Sequence, residues 1–118
     1  MRKGVFYEDK AEEFLLLKGY KILKRNFSTK LGEIDIIAQD KKDLVFVEVR
    51  KRGKNFLSLP SETVDKNKRR KIILTAKMYL SYTKRKLPLR FDVVGIVEGK
   101  NWRIYRLIKN AFSCEEIP

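Results

Sequence analysis

Two runs rich in β-branched residues, Glu33-Ile34-Asp35-Ile36-Ile37-Ala38 and Leu44-Val45-Phe46-Val47-Glu48-Val49-Arg50, stand either side of the polar stretch Asp40-Lys41-Lys42-Asp43. That arrangement predicts a pair of strands joined by a turn. Side chains alternate along a strand, so Val45, Val47 and Val49 share one face while Leu44, Phe46, Glu48 and Arg50 share the other. The first face is apolar throughout. The second begins apolar and becomes charged at its C-terminal end, the pattern of a strand buried along most of its length that opens into a pocket. With the hairpin symmetric about the Lys41–Lys42 bond, Asp35 faces Glu48, their Cβ atoms about 5 Å apart. Like charges so placed repel, and a cation between them offsets the repulsion; Mg²⁺ is commonly anchored by one or two carboxylates. The same two acids also suit a solvent-facing sheet surface neutralised by Arg50 or a nearby lysine, and the spacing leaves both readings open.

The flanking sequence supplies the other elements. Phe6, Ala11, Phe14, Leu15 and Leu17 predict a helix over residues 5–18, capped by Gly19. Tyr20 to Phe27 reads as a strand, and Ser28 to Gly32 as the turn after it. Beyond Arg50, residues 51–59 show no period and read as a basic loop closed by Pro60. A long helix is expected from about Ser61 to Lys84, with Ser61 or Thr63 as its N-cap. Two strands follow, Leu89 to Val97 and Trp102 to Ile108, joined by Glu98-Gly99-Lys100-Asn101. The order is α-β-β-β-α-β-β, in one domain over residues 1–118.

Charge narrows the partners. The chain has 28 Lys and Arg against 15 Asp and Glu, a net charge of +13, which favours a polyanion such as nucleic acid. No stretch reaches the roughly 18 apolar residues that span a bilayer, so no membrane partner is expected. A single cysteine, Cys114, suits a reducing cytoplasm, where this chain is expected to reside. The complete lack of histidine excludes Ser-His and Cys-His machinery and ordinary zinc sites. Carboxylate chemistry with a hard cation, Mg²⁺ or Mn²⁺, is what remains for an enzyme.

Several strings carry a resemblance. GYKILKRN (19–26), GEIDII (32–37), FVEVRKR (46–52), VDKNK (64–68) and RFDVV (90–94), with Asn110-Ala111-Phe112, resemble the YraN-like uncharacterised family over nearly the whole chain. That likeness implies a restriction-endonuclease-like three-layer α/β fold, a mixed central sheet flanked by helices, related to archaeal Holliday-junction resolvases. The active-site pattern there is Glu, then Asp, then Glu-x-Lys. Carried over, the pattern puts Glu8, Asp35 and Glu48 in the acidic positions, with Asp35, Glu48 and the Val49 carbonyl on the metal and Glu8 reaching it directly or through water. The lysine position falls on Arg50. Arginine stays protonated, so it can orient groups and offset charge but not act as a base. Lys51 alternates to the other face; Lys68, which matches a family lysine, is the better substitute.

Lys66-Asn67-Lys68-Arg69-Arg70-Lys71 places five cations in six positions, and Arg50, Lys51, Arg52 and Lys54 form a second cluster. Lys51, Arg52, Lys54, Lys66, Arg69 and Arg70 are the expected phosphate contacts. No aromatic residues interleave these cations, which argues against an RNA-stacking platform and favours DNA over RNA. The sequence therefore predicts a Mg²⁺-dependent endonuclease acting on DNA, branched DNA included. Its rival is a non-catalytic nucleic-acid-binding module. Analogy with resolvases, whose substrate is two-fold symmetric, points to a homodimer.

Overall fold

A computed structural model describes residues 3–52, 64–84 and 86–114. The element order is helix α1 (Lys3–Leu17), strands β1 (Lys21–Thr29), β2 (Gly32–Asp40) and β3 (Asp43–Arg52), helix α2 (Lys66–Thr83), and strands β4 (Leu89–Glu98) and β5 (Arg103–Phe112), as the sequence predicts. The five strands form one mixed sheet in the order β1-β2-β3-β4-β5, parallel at β3·β4 and antiparallel elsewhere. The parallel pair follows from the crossover through α2, since a tight turn can join only antiparallel neighbours.

One helix covers each face of the sheet. On the α1 side, Ala11 and Leu15 pack with Tyr20, Ile36, Val45, Val47, Val94 and Ile96. On the α2 side, Ile72, Ile73, Ala76 and Tyr79 pack with Ile37, Leu44, Phe46, Phe91 and Val93. The two faces of β3 separate as its alternation predicts, with the valines toward α1 and Leu44 and Phe46 toward α2. Its neighbours on both sides make β3 a central strand, buried from Leu44 through Glu48. The hairpin register is also as predicted, with Ile36 opposite Val47 and Asp40 opposite Asp43.

Differences lie at element ends. Helix α2 starts at Lys66, capped by Asp65, whose Oδ1 accepts the Lys68 N–H at 2.8 Å. The expected caps Ser61 and Thr63, like Pro60 and residues 53–59 of the expected loop, lie outside the described residues. Lys51 and Arg52 belong to β3 rather than to that loop. Strand β1 runs on through Thr29, leaving Lys30 and Leu31 as the turn. Strand β5 continues to Phe112, past a left-handed Asn110 (φ 54°), because the Asn110 N–H reaches buried Asp92 at 2.9 Å and Phe112 stacks on Phe91. Gly19 has φ 91°, a left-handed conformation that suits glycine as the expected helix cap.

Candidate active site

The sheet is irregular in β1 between Ile22 and Lys24 and where β5 passes Asn110, and its alternation also breaks in β2 at Asp35, where the site lies. In β2, Ile36 joins the α1-side core while Ile34 joins the α2-side core, although residues two apart in a regular strand share a face. Strand β1 breaks in step. Arg25 faces the acids of α1, Phe27 packs edge-on against Tyr79 of α2, and Asn26 between them adopts φ 52°. The β2·β3 ladder runs back from the turn as far as Ile36 and Val47, so Asp35 and Glu48 come next where the strands part. Asp35 Oδ2 accepts the Val49 N–H at 2.8 Å, capping the β3 backbone at the fork. The Glu48 side chain, on the α2 side, is only 4% exposed.

Two carboxyl groups this close, one half-buried and one buried, do not both ionise easily. Burial, the hydrogen bond with Glu48 and the Glu48 charge raise the Asp35 pKa to about 9, against the lowering effect of the Val49 N–H. The charge of Glu8 adds a smaller push in the same direction.

Helix α2 supplies the balancing cation. Lys68 in its first turn places Nζ 2.8 Å from Glu48 Oε2, whereas Arg50 Nη1 is 3.9 Å away. The approach of α2 to β2 depends on Gly32, where a Cβ would come within 3.1 Å of Lys71 Cβ and of Thr75 Oγ1. A cavity of about 360 Å³ opens here, lined by Glu33, Asp35, Glu48, Asn67, Lys68 and Lys71 among others.

The structure thus unites Asp35, Glu48, Lys68 and Arg50, and it fixes Val49 through its N–H. Glu8 stands apart: its Oε1 faces Arg25 Nη2 at 3.6 Å, and Arg25 also grips Asp9 and Glu12. Burial raises the Glu8 pKa, partly countered by Arg25. Among the described residues no three acidic side chains gather as a metal-ligand group, so the expected convergence is met by two carboxylates. The two carboxylates nonetheless offer oxygen donors of the kind a hard divalent cation takes, with Lys68 Nζ, 2.8 Å from Glu48 Oε2, supplying positive charge at the same place.

The expected phosphate contacts divide. Lys66 and Arg70 are exposed near the cavity on α2. Arg69 is half-buried: its Nε donates to the Val64 carbonyl at 2.7 Å and its guanidinium lies over the Phe112 ring, so it also ties the helix start to β5. Lys51 points to the α1 side, its Nζ 5.6 Å from the centre of the Tyr7 ring, as alternation predicts. The Arg52 side chain and Lys54 lie outside the described residues.

Sequence reasoning missed a buried network at the opposite end of the sheet. Arg90 donates to Asp92, Asp43, Asp40 and the Tyr20 hydroxyl, and that hydroxyl donates to Asp92. Asp92 is fully buried. The hydrogen bond from Arg90 holds the Asp40 carboxyl below its ordinary pKa. The only signal was an arginine and an aspartate two apart in a strand that otherwise reads as buried.

These features define an α/β protein with a mixed five-stranded sheet, a helix on each face and a paired-carboxylate pocket at the fork of β2 and β3. Residues 7–96 match the model of the uncharacterised protein family UPF0102. A UPF0102 protein of Persephonella marina is 46% identical over 116 residues, spanning 96% of this chain and 95% of that protein. Relatives of the same description from Caldicellulosiruptor bescii (45% identical, 92% of this chain and 95% of the relative) and Clostridium botulinum strain 657 (43%, 93% of each) are similarly close. The chain belongs to the UPF0102 family, the YraN-like family its motifs resemble.

Proposed function

We propose that this protein is a Mg²⁺-dependent endonuclease with a restriction-endonuclease-like fold, hydrolysing DNA phosphodiester bonds in the cytoplasm. The observation that carries the reading is the close pair of half-buried Asp35 and buried Glu48, with Lys68 Nζ 2.8 Å from Glu48. A structural surface pair has no need to be buried, mutually repelling and faced by a helix lysine at the mouth of a cavity.

Asp35 and Glu48 would hold the cation with the Val49 carbonyl, and Glu8, paired with Arg25, would act on it only through water. A bound divalent cation would polarise the scissile phosphate and stabilise charge on its oxygens. The remaining roles fall to the chain. Lys68, 2.8 Å from Glu48, is the candidate to stand in for the lysine of the family pattern and to orient the attacking water. Arg50 would neutralise charge developing on the phosphate. Exposed Lys66 and Arg70 would hold flanking backbone phosphates, with no base-reading element.

The test is cleavage of branched and linear DNA with Mg²⁺ or Mn²⁺ by the protein and by Asp35→Asn and Glu48→Gln. Cleavage is expected from the unaltered chain and loss of at least about 100-fold in each variant. Equal cleavage by both variants, or none by the parent, overturns the proposal. A second reading, a nucleic-acid-binding module without catalysis, is favoured by Arg50 at the lysine position and by the two-carboxylate rather than three-carboxylate site. Arg50→Lys separates the two: cleavage gained in an otherwise inactive protein marks a decayed nuclease site.

A further inference from the structure

Trp102, the one tryptophan of the chain, remains 46% exposed on the turn between β4 and β5. Its indole occupies space a side chain on Gly99 would fill: a Cβ there would lie 2.4 Å from the ring nitrogen and 2.7 Å from Cζ2. The ring rests against glycine backbone and leaves much of its surface to solvent. The turn beneath is braced. The Gly99 N–H donates to the Trp102 carbonyl at 3.0 Å, Arg103 Nε donates to Glu98 at 2.9 Å, and the Tyr7 hydroxyl donates to the same carboxylate. Lys100 is exposed beside the ring, the Arg103 guanidinium lies over Phe6, and Lys51 lies over Tyr7. Here cations and aromatic side chains do interleave, assembled from α1, β3 and the turn, where no linear string reveals them.

The cluster shares one end of the sheet with the acidic pair, Lys51 standing on the α1 side with Phe6 and Tyr7 of that helix, and Glu48 on the α2 side. Strands β3 and β4 are parallel with Glu48 level with Val93, so Glu98 stands five residues further along, about 17 Å toward the end of the sheet on which the pair opens. We propose that Trp102 is a stacking platform for an unpaired base of single-stranded nucleic acid whose backbone is drawn by Lys51, Lys100 and Arg103. A net charge of +13 supplies the attraction for phosphate, and a flat indole face binds any base through its π surface. Bases inside a duplex are already stacked and cannot use it. The inference rests on the nucleic-acid part of the function proposed above, and not on cleavage.

The lone tryptophan reports its own occupancy. The full chain is titrated with oligothymidylate and oligouridylate of about 12 nucleotides and with a duplex of the same length, following indole emission and the anisotropy of labelled strands. Single strands are expected to quench emission, and Trp102→Ala to bind them about ten-fold more weakly while Trp102→Phe retains most of the affinity. Duplex affinity is expected to change less than about two-fold, since it rests on phosphate contacts. The two single strands separate DNA from RNA as the natural source, and quenching by either supports the platform. Unchanged emission at saturating single strand, or equal affinity of Trp102→Ala and the parent, overturns the proposal. So does the absence of any binding, which would also remove the nucleic-acid basis of the function above. Quenching without cleavage would sink only the nuclease reading.

Discussion

Replacing Asp35 with asparagine is expected to stabilise the metal-free protein at neutral pH while removing its proposed chemistry. Asparagine resembles the protonated aspartic acid: its Oδ1 can accept the Val49 N–H, and its Nδ2 can donate to Glu48. The Asp35 pKa is raised from 3.8 in the ordinary state to about 9 in the fold, so between those values the folded chain binds a proton that the unfolded chain has lost. Stability must then fall as pH rises through that window, by up to about 1.4 kcal/mol per pH unit, and level off above the folded value. From pH 5.5 to 8 the limit is about 3.4 kcal/mol; with relaxation around the fork, about 2 kcal/mol is expected. Glu8, also raised, acts in the same direction, whereas Asp40 and Glu98, both lowered, lose their contribution only at acid pH, below this range. The assay is urea and thermal unfolding with a chelator present, at half-unit steps of pH. The parent should lose stability toward pH 8, and Asp35→Asn should be nearly flat and melt higher at pH 8 by about 5–10 °C. A parent stable to the same degree across the range, or a variant less stable at pH 8, would refute the account of Asp35 as a strained, proton-holding carboxyl.

Arg90→Met should cost about 3–5 kcal/mol in urea unfolding, because it strands the fully buried Asp92 and the paired Asp40 without their main cation. Lys109→Met, which removes an exposed partner 3.4 Å from Asp40, should cost no more than about 1 kcal/mol in the same experiment. If the parent cleaves DNA, Lys68→Met should lower the single-turnover rate at least about 100-fold while Lys71→Met, lining the same cavity without an ion pair to Glu48, changes it less than about ten-fold.

The extent to which this fold is legible in sequence depends on how locally each feature is encoded. The alternation of Leu44 to Arg50 gives β3, its two faces and its charged C-terminal end, because strand period and burial are both local properties. The symmetric turn at Lys41 and Lys42 gives the register, which is why the sequence alone sets Asp35 opposite Glu48. The end of α2 is less legible: Ser61, Thr63 and Asp65 are all competent caps, and only the path of the chain selects Asp65. Glu8 shows the limit more sharply. A resemblance can assign it to the metal, but Arg25, opposite it on the neighbouring strand, answers it instead, and that contact belongs to packing between elements.

The break at Asp35 is the least legible feature and the one on which the proposed chemistry depends. Regular alternation would place Ile34, Ile36 and Ala38 on one side, yet Ile34 crosses to the other, matched by the turn in direction at Asn26 on β1. Each break alone would expose backbone groups or bury the wrong side chain; together they shift both strands consistently and keep Arg25 with α1 and Phe27 with α2. The β2·β3 ladder then ends early, and the Asp35 carboxyl takes the Val49 N–H near the point where the ladder stops. The same group that caps the fork is therefore held beside Glu48 at an electrostatic cost, offset by Lys68 from α2. A sheet without the paired break would continue the ladder through residue 35 and need no acid there. Stability alone favours asparagine at this position, and the proposed cation would offset the charge that aspartate keeps.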